Sequence, residues 1–494
     1  MAGAQQTPRL RPHSLPVTTI DLPPDAVTAA SQPASAHARR VPGARRVPRW
    51  WRDASVAAFW LVLLWVTALW VAHGGVQDLG SLSGALTSVG RLTGLVSSAL
   101  LLVQVFLMAR IPWFEQAWGQ DELARTHRLV GFTSFTLLWA HIVLITLGYA
   151  AASTLGLWGT IVDFVLNYPG MLLAVAGTVA LCLVVVTSVR RARRRLRYES
   201  WHLIHLYGYL GAGLALPHQL WTGQEFLAST ASTVFWWSLY AACAAAVLVF
   251  RVGVPLVRSL RSPLRVVAVH EEAPGVTSVV IGGPGVASLR PAAGQFFQWR
   301  FVDGPGWTRA NPYSLSAAPD GKHLRVTAAH VGDGTRRLAD LRPGTRVLVE
   351  GPYGRLHAGV RTRRKVLLMG AGIGITPIRA LLEDLDQGPG DVVVVHRAST
   401  RDQLILGQEL SDLASSRGAR YVTVEGPRVP GRDTWLPASA AHLSDAEALA
   451  QVVPDVAERD VYLCGAPAWM AAAREAALAC GVPPTHVHLE RFEY

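Results

Sequence analysis

Charge is scarce in this chain of 494 residues. Asp, Glu, Lys and Arg make up 16% of it, while hydrophobic residues make up 50%. That balance excludes an ordinary soluble protein of this length. Cysteine is scarcer still. Cys182, Cys243, Cys464 and Cys480 form no CxxC pair and no ferredoxin-type spacing, which excludes a disulfide framework and an attached iron–sulfur domain. Acidic residues are outnumbered, 34 against 46 basic, for a net charge of +12 carried almost wholly by arginine. The arginines fall at the ends of apolar runs, so the excess reads as membrane topology and not as a nucleic-acid surface. The first 48 residues have no apolar run. Their Pro, Ala, Ser and Arg predict a disordered cytoplasmic tail in place of a signal peptide.

What is present in quantity is long apolar sequence. Six stretches, at residues 54–72, 89–108, 127–149, 170–189, 201–220 and 233–254, each approach the roughly 20 residues that span a bilayer as a helix. Arg45, Arg46, Arg49 and Arg52 precede the first. Arg110, Arg125 and Arg128 flank the loop between the second and third, an arginine run at 190–197 follows the fourth, and Arg258 and Arg261 follow the sixth. The other three loops hold no Lys or Arg. By the positive-inside rule this predicts a six-span cell-membrane protein with both termini cytoplasmic.

Four histidines lie in these spans: His127 and His141 in the third, His205 and His218 in the fifth. Ionisable side chains at membrane depth are costly and mark function. The third and fifth spans run in the same direction, so His127 matches His205 in depth and His141 matches His218. A step of 13 or 14 residues covers about 20 Å of helix, the separation of two stacked haems. The 14-residue step returns His141 to within about 40° of His127's face. The 13-residue step does less well for His218, and Pro217 is placed to distort the helix there. His202 is a rival inner ligand, and interhelical hydrogen bonding is the competing role for all of them. Arg91, at the outer end of the second span, either snorkels to lipid or meets an anion, such as a haem propionate or an acceptor intermediate.

After Arg261 the pattern changes to short alternating segments, at 264–269, 277–281 and 296–301, that predict a small antiparallel barrel. It contains Asn311-Pro312-Tyr313-Ser314-Leu315. Then comes Gly332-Asp333-Gly334-Thr335, a helix-opening turn whose N–H groups suit a pyrophosphate. Glu350-Gly351-Pro352-Tyr353-Gly354 follows. Strands and helices then alternate. The strand at 365–369 runs into Gly370-Ala371-Gly372-Ile373-Gly374-Ile375-Thr376-Pro377, glycines that admit a phosphate to a helix N-terminus. A second strand ends in His396-Arg397, where Arg397 could read the 2′-phosphate that separates NADPH from NADH; Arg428 is another candidate. A third ends in Cys464-Gly465.

Taken together these residues resemble the ferric reductase and NADPH oxidase superfamily, of bacterial type, over residues 52 to 494. The resemblance implies a multi-domain membrane protein: a six-helix transmembrane haem domain (52–256), an antiparallel β-barrel FAD domain (262–358) and an α/β Rossmann-like NADPH domain (362–494). It implies two bis-histidine b-type haems, on His127 with His205 and on His141 with His218. Tyr313 and Ser314 would contact the flavin ring, residues 332–335 its pyrophosphate, residues 370–377 the NADPH phosphates, and Cys464 and Gly465 the nicotinamide side. Phe492 or Tyr494 would cover the flavin face. Two positions depart from the family pattern: Asn311 stands where Arg or His is usual, and Ala328-Ala329-His330 lacks the usual basic residue, which Arg309 and His330 could replace. The implied activity carries electrons from cytoplasmic NADPH, or NADH, through FAD and the haems to an outer acceptor, a ferric chelate or O2. The rivals are a haem-free, membrane-anchored flavin reductase and a transporter with a nucleotide-sensing domain.

Overall fold

The computed structural model describes residues 50–189, 198–261, 263–304 and 306–490. The tail 1–48, the arginine run 190–197, Phe492 and Tyr494 lie outside them. The chain forms two compact units, a helical one built on residues 45–261 and a β-rich one built on 262–348 and 355–493.

In the helical unit the long elements are α1 (Trp50–Ala72), α2 (Leu82–Leu107), α3 (Gln120–Ala152), α4 (Met171–Ser188), α5 (Tyr198–Trp221) and α6 (Thr230–Ala246). The last continues through a π-helical segment, Val247–Gly253, into Val254–Arg261. Ser81 caps α2 by accepting from Gly84 N at 3.1 Å, and Ser229 caps α6 by accepting from Ser232 N at 3.2 Å, satisfying otherwise orphaned donors. Large apolar side chains point outward, among them Trp60 at 57% and Val179 at 63% exposure. That surface suits lipid, where a helix satisfies its own backbone polar groups.

Among the described residues, five helices are long and apolar enough to cross a bilayer. Five of the six expected stretches meet that measure. The fifth expected stretch is helical, as α5, but it carries His202, His205, Tyr207, Tyr209, His218 and Gln219, and these polar groups lower its apolar character below that of its neighbours.

Small residues let the helices meet closely. Ser97 Oγ donates to Ser134 O at 2.7 Å, and Ser134 Oγ returns a bond to Ser97 O at 2.8 Å. This pins α2 to α3 midway between His127 and His141. Gly170, in the left-handed conformation at the start of α4, lies so close to α5 that a Cβ there would stand 2.8 Å from His218 N.

The β-rich unit holds two sheets. The first is six-stranded and antiparallel, in the order β4-β3-β6-β1-β2-β5, with β1 Leu264–Ala273, β2 Val276–Gly282, β3 Phe296–Val302, β4 Asn311–Ser314, β5 His323–Ala329 and β6 Arg346–Tyr353. A bridge between Leu315 and Val326 links its two edge strands, as a barrel requires. The second sheet is parallel, in the order β11-β10-β7-β8-β9, with β7 Val366–Ala371, β8 Val392–Ala398, β9 Arg420–Glu425, β10 Asp460–Cys464 and β11 Val487–Glu490. Its runs of buried Val and Leu fit strands covered on both faces. The strand order reverses between β7 and β10, the switch point at which such sheets bind ligands. Helix α7 (Ile375–Asp384) follows β7, α8 (Gly407–Ser416) follows β8, and α9 (Pro467–Ala479) follows β10.

Candidate functional site

The helical unit brings the inner histidines together: the rings of His127 and His205 lie 5.9 Å apart, centroid to centroid. A metal–imidazole bond is about 2 Å, so two such bonds and the two ring radii come to about 6 Å. Each of the four histidines has its Nδ1 engaged. His127 Nδ1 lies 3.0 Å from Gln104 O and His141 Nδ1 lies 2.8 Å from Gly90 O, both on α2. His218 Nδ1 lies 2.6 Å from Thr222 Oγ1, and His205 Nδ1 lies 3.4 Å from Ser188 Oγ. Occupying Nδ1 fixes the ring and directs Nε2 to a metal, the usual support of a ligating histidine. Among the described residues no group of three or more His, Cys, Asp or Glu could hold a metal ion. Paired imidazoles suit an iron whose remaining ligands come from a macrocycle.

Gly94 completes the His141 pocket, because a Cβ there would lie 2.5 Å from His141 Nδ1. The supports from α2 are not legible in local sequence, since backbone carbonyls and a missing side chain carry no residue signature. Arg91 does not stand alone. It pairs with Asp78 and lies 3.7 Å from Glu225, which also holds His73 at 2.7 Å.

In the antiparallel sheet, β4 and the 332–335 turn adjoin. Tyr313 Oη donates to Gly334 O at 3.3 Å. A Cβ on Gly334 would meet Asn311 Oδ1 at 2.7 Å, so the small Asn sits where the turn comes close. Trp299 Nε1 holds Tyr313 O at 3.0 Å, and burial pushes the Tyr313 phenol up. Pro312 lies between them in β4, and Ser314 closes the strand, buried. Thr335 Oγ1 accepts from Val331 N and Gly332 N, both at 3.1 Å, and so shapes the turn that opens Asp333–Arg336. His330 Nε2 bonds Thr277 Oγ1 at 2.9 Å.

In the parallel sheet the loops after β7 and β10 touch. A Cβ on Gly374 would lie 2.5 Å from Cys464 O, and one on Gly465 would lie 3.0 Å from Ala371 Cβ. Gly370 is packed under Ile375, Gly372 has positive φ with open space above it, and Thr376 Oγ1 donates to Ile373 O at 2.9 Å while Pro377 is buried in the first turn of α7. The result is a side-chain-free cradle at a helix start, which fits a pyrophosphate. Cys464 is buried, and burial pushes its thiol well up, so it stays protonated. Arg397 is also buried. Its guanidinium donates to Ala398 O, to Gly426 O at 2.7 Å and to Val424 O and Pro427 O at 3.4 Å. The strand-end arginine that the sequence offered to a 2′-phosphate is thus committed to backbone carbonyls.

Comparison with known proteins follows this division. A family model described as ferric reductase like transmembrane component matches residues 93–216, and one described as oxidoreductase NAD-binding domain matches residues 368–475. The ferredoxin reductase component of 3-ketosteroid-9-alpha-monooxygenase of Mycolicibacterium smegmatis is 30% identical over 240 residues, covering 47% of this chain and 65% of that protein. Ferredoxin–NADP reductase B of Sorangium cellulosum is 31% identical over 201 residues, covering 38% of this chain and 80% of that protein. A ferredoxin NADP+ reductase structure from Neisseria gonorrhoeae with bound FAD and NADP covers 46% of this chain and 97% of its own, with 20% identity and a TM-score of 0.38. The chain spans 56–65% of the length of the mycobacterial 3-ketosteroid-9-alpha-monooxygenase reductases it matches. The chain belongs to the ferredoxin–NADP reductase-like oxidoreductases, with a ferric reductase-like transmembrane component in its N-terminal half.

Proposed function

We propose that the protein is a six-span membrane oxidoreductase that moves electrons from cytoplasmic NAD(P)H through FAD and two b-type haems to an acceptor on the outer face. The observation that carries this reading is the inner histidine pair, 5.9 Å apart and each held through Nδ1. When bound, the flavin supplies hydride acceptance and one-electron release, and the haems supply passage across the bilayer. The protein's residues bind and orient. His127 with His205, and His141 with His218, would hold the two irons. Asn311, Pro312, Tyr313 and Ser314 would line the flavin, with residues 332–335 at its pyrophosphate, and Gly370, Gly372, Gly374, Thr376 and Pro377 would admit the nucleotide phosphates.

Cys464 and Gly465 would shape the nicotinamide side, Cys464 by its bulk, since its buried thiol neither gives nor takes a proton near neutrality. Phe492 or Tyr494 would shield the flavin face. Arg91 is held by Asp78 and Glu225, which supports an acceptor that needs no free cation, such as a chelated ferric ion, over one that must be trapped as an anion. Its remaining part would be to position the outer end of α2.

The test is His141→Ala in the full chain in nanodiscs. The variant should lose one of two haems, and NADPH-driven reduction of ferric EDTA should fall at least ~100-fold, the upper end of what losing an outer-shell partner of a metal ligand costs. Reduction of a soluble dye at the flavin should survive. Unchanged ferric EDTA reduction sinks the proposal.

A further inference from the structure

Between the two sheets of the β-rich unit runs a line of charged side chains with no part in the roles above. Arg325, on β5, donates through Nη2 to both carboxylate oxygens of Glu409 at 3.1 Å. The same guanidinium donates to Ser316 Oγ at 3.1 Å and Ser316 O at 2.9 Å. Glu409 stands on α8, against the other sheet, and its Oε1 lies 2.5 Å from Nη2 of Arg379 on α7. Arg379 also pairs with Glu383. Glu383 Oε2 in turn accepts from Ala318 N at 2.6 Å, back in the antiparallel sheet's loop. The connection therefore crosses between the sheets twice, once as Arg325–Glu409 and once as Ala318–Glu383.

The two ends of this line are placed where spacing matters. Ser316 follows Ser314 by two residues, and Arg379 follows Pro377 of the glycine loop by two. Ser316 is fully buried and rigidly backed: its N donates to Arg325 O at 2.8 Å, and its Oγ accepts from Thr327 Oγ1 at 2.7 Å, which lies 2.7 Å from Ser278 Oγ. Arg379's side chain is only 8% exposed. An exposed, isolated ion pair contributes little. A partly buried chain of charge-assisted bonds with a shared carboxylate has few alternative arrangements, and removing one member leaves charges without partners.

We propose that Arg325, Glu409, Arg379 and Glu383 form a clamp that fixes the flavin strand against the nucleotide loop, making them positioning residues for hydride transfer. The clamp rests on the reading of the two sheets as flavin and nicotinamide lobes. Hydride transfer needs its reacting atoms held to within fractions of an ångström, and a displacement of about 1 Å costs about 100-fold in rate. A swivel between the lobes would produce such a displacement while leaving each lobe's own binding surface intact.

The experiment uses the full chain in nanodiscs and two readouts. In the first, anaerobic stopped-flow follows flavin reduction at saturating NADPH. Glu409→Ala and Arg325→Ala should each slow it by at least ~30-fold, with less than ~3-fold change in NADPH Kd and unchanged FAD content. Arg325→Lys, which keeps the charge on a single donor nitrogen, should recover part of the rate, and the double alanine variant should be no slower than Glu409→Ala alone. In the second readout, spin labels on the exposed positions Lys322 and Ser415 report the lobe-to-lobe distance, with the partly exposed Cys182 and Cys480 changed to serine. The parent should give one narrow distance distribution and Glu409→Ala a broad one. A parent that NADPH does not reduce overturns the reading of the lobes. A parent reduced normally, with Glu409→Ala matching it in rate or keeping its narrow distribution, overturns the clamp.

Discussion

The helical unit and the β-rich unit hold their candidate centres by opposite means. In the helical unit the groups that would touch a cofactor are side chains, four imidazoles on α3 and α5, each braced at Nδ1 by a carbonyl or hydroxyl. In the β-rich unit the candidate nucleotide cradle is made of backbone and of side chains that are missing, where Gly374 meets Cys464 O and Gly465 meets Ala371. The solvents explain the difference. A polar side chain in lipid is costly unless it has a partner, so few are present and each stands out. At a water-facing phosphate site, N–H groups at a helix start already supply the donors, and what the site needs from the sequence is room.

A methyl group should act differently in the two units. Gly374→Ala forces a Cβ to within 2.5 Å of a backbone oxygen that cannot yield. NADPH affinity should fall at least ~10-fold and stability by about 1–3 kcal/mol, as overpacking does, measured by calorimetric titration and urea unfolding. Gly94→Ala instead meets His141 Nδ1 at the same distance. It should shift the electron paramagnetic resonance signal of one haem and leave NADPH affinity alone. Equal loss of NADPH affinity in both variants contradicts the division.

Within the β-rich unit, Arg397→Ala separates a structural side chain from a nucleotide contact. Loss of a buried guanidinium that bonds strand-end carbonyls should lower stability by about 2–3 kcal/mol, and the NADPH-to-NADH ratio of kcat/KM should stay within about threefold. A collapse of that ratio towards NADH would make Arg397 a reader of the 2′-phosphate after all.

The smallest effect concerns histidines. His396, bonded to Tyr421 Oη at 2.8 Å, and His357 are buried structural residues, and burial lowers them to about 3 and about 4 from the ordinary 6.5. The folded chain keeps both neutral, whereas the unfolded chain protonates them below pH 6.5. Their contribution is therefore undiminished above that value and falls as pH drops through 6.5 towards 4. Between pH 7 and 6 the two together should cost about 1 kcal/mol, and replacing both with glutamine should flatten the dependence of urea-unfolding stability on pH.

The sequence disclosed the two units unequally. His127 and His205 could be paired because polar residues in long apolar runs are rare, and charge at the loop ends suggested matching depths. The glycine loop at 370–377 was legible from its position after a buried strand. The braces were not: Gln104 and Gly90 act through their carbonyls, and Thr222 gains its part from the end of α5. The fifth span is harder to read for a related reason, since the histidines and tyrosines of α5 make that helix less apolar than its neighbours. The carbonyl partners of Arg397 were not legible because a strand-end arginine looks the same whether it faces a ligand or turns back onto carbonyls. Asn311, which departs from the family pattern, stands against Gly334, and the closeness of that turn is a matter of packing that local sequence does not express.

In the proposed function, electrons from the nucleotide reach two irons held by these histidines. The direct measurement is an anaerobic reduced-minus-oxidised difference spectrum of the full chain in nanodiscs, with haem content determined per chain and NADPH as the only reductant. Two b-type haems per chain, both reduced by NADPH, are expected. A chain without haem, or with haem that dithionite reduces and NADPH does not, would contradict that function.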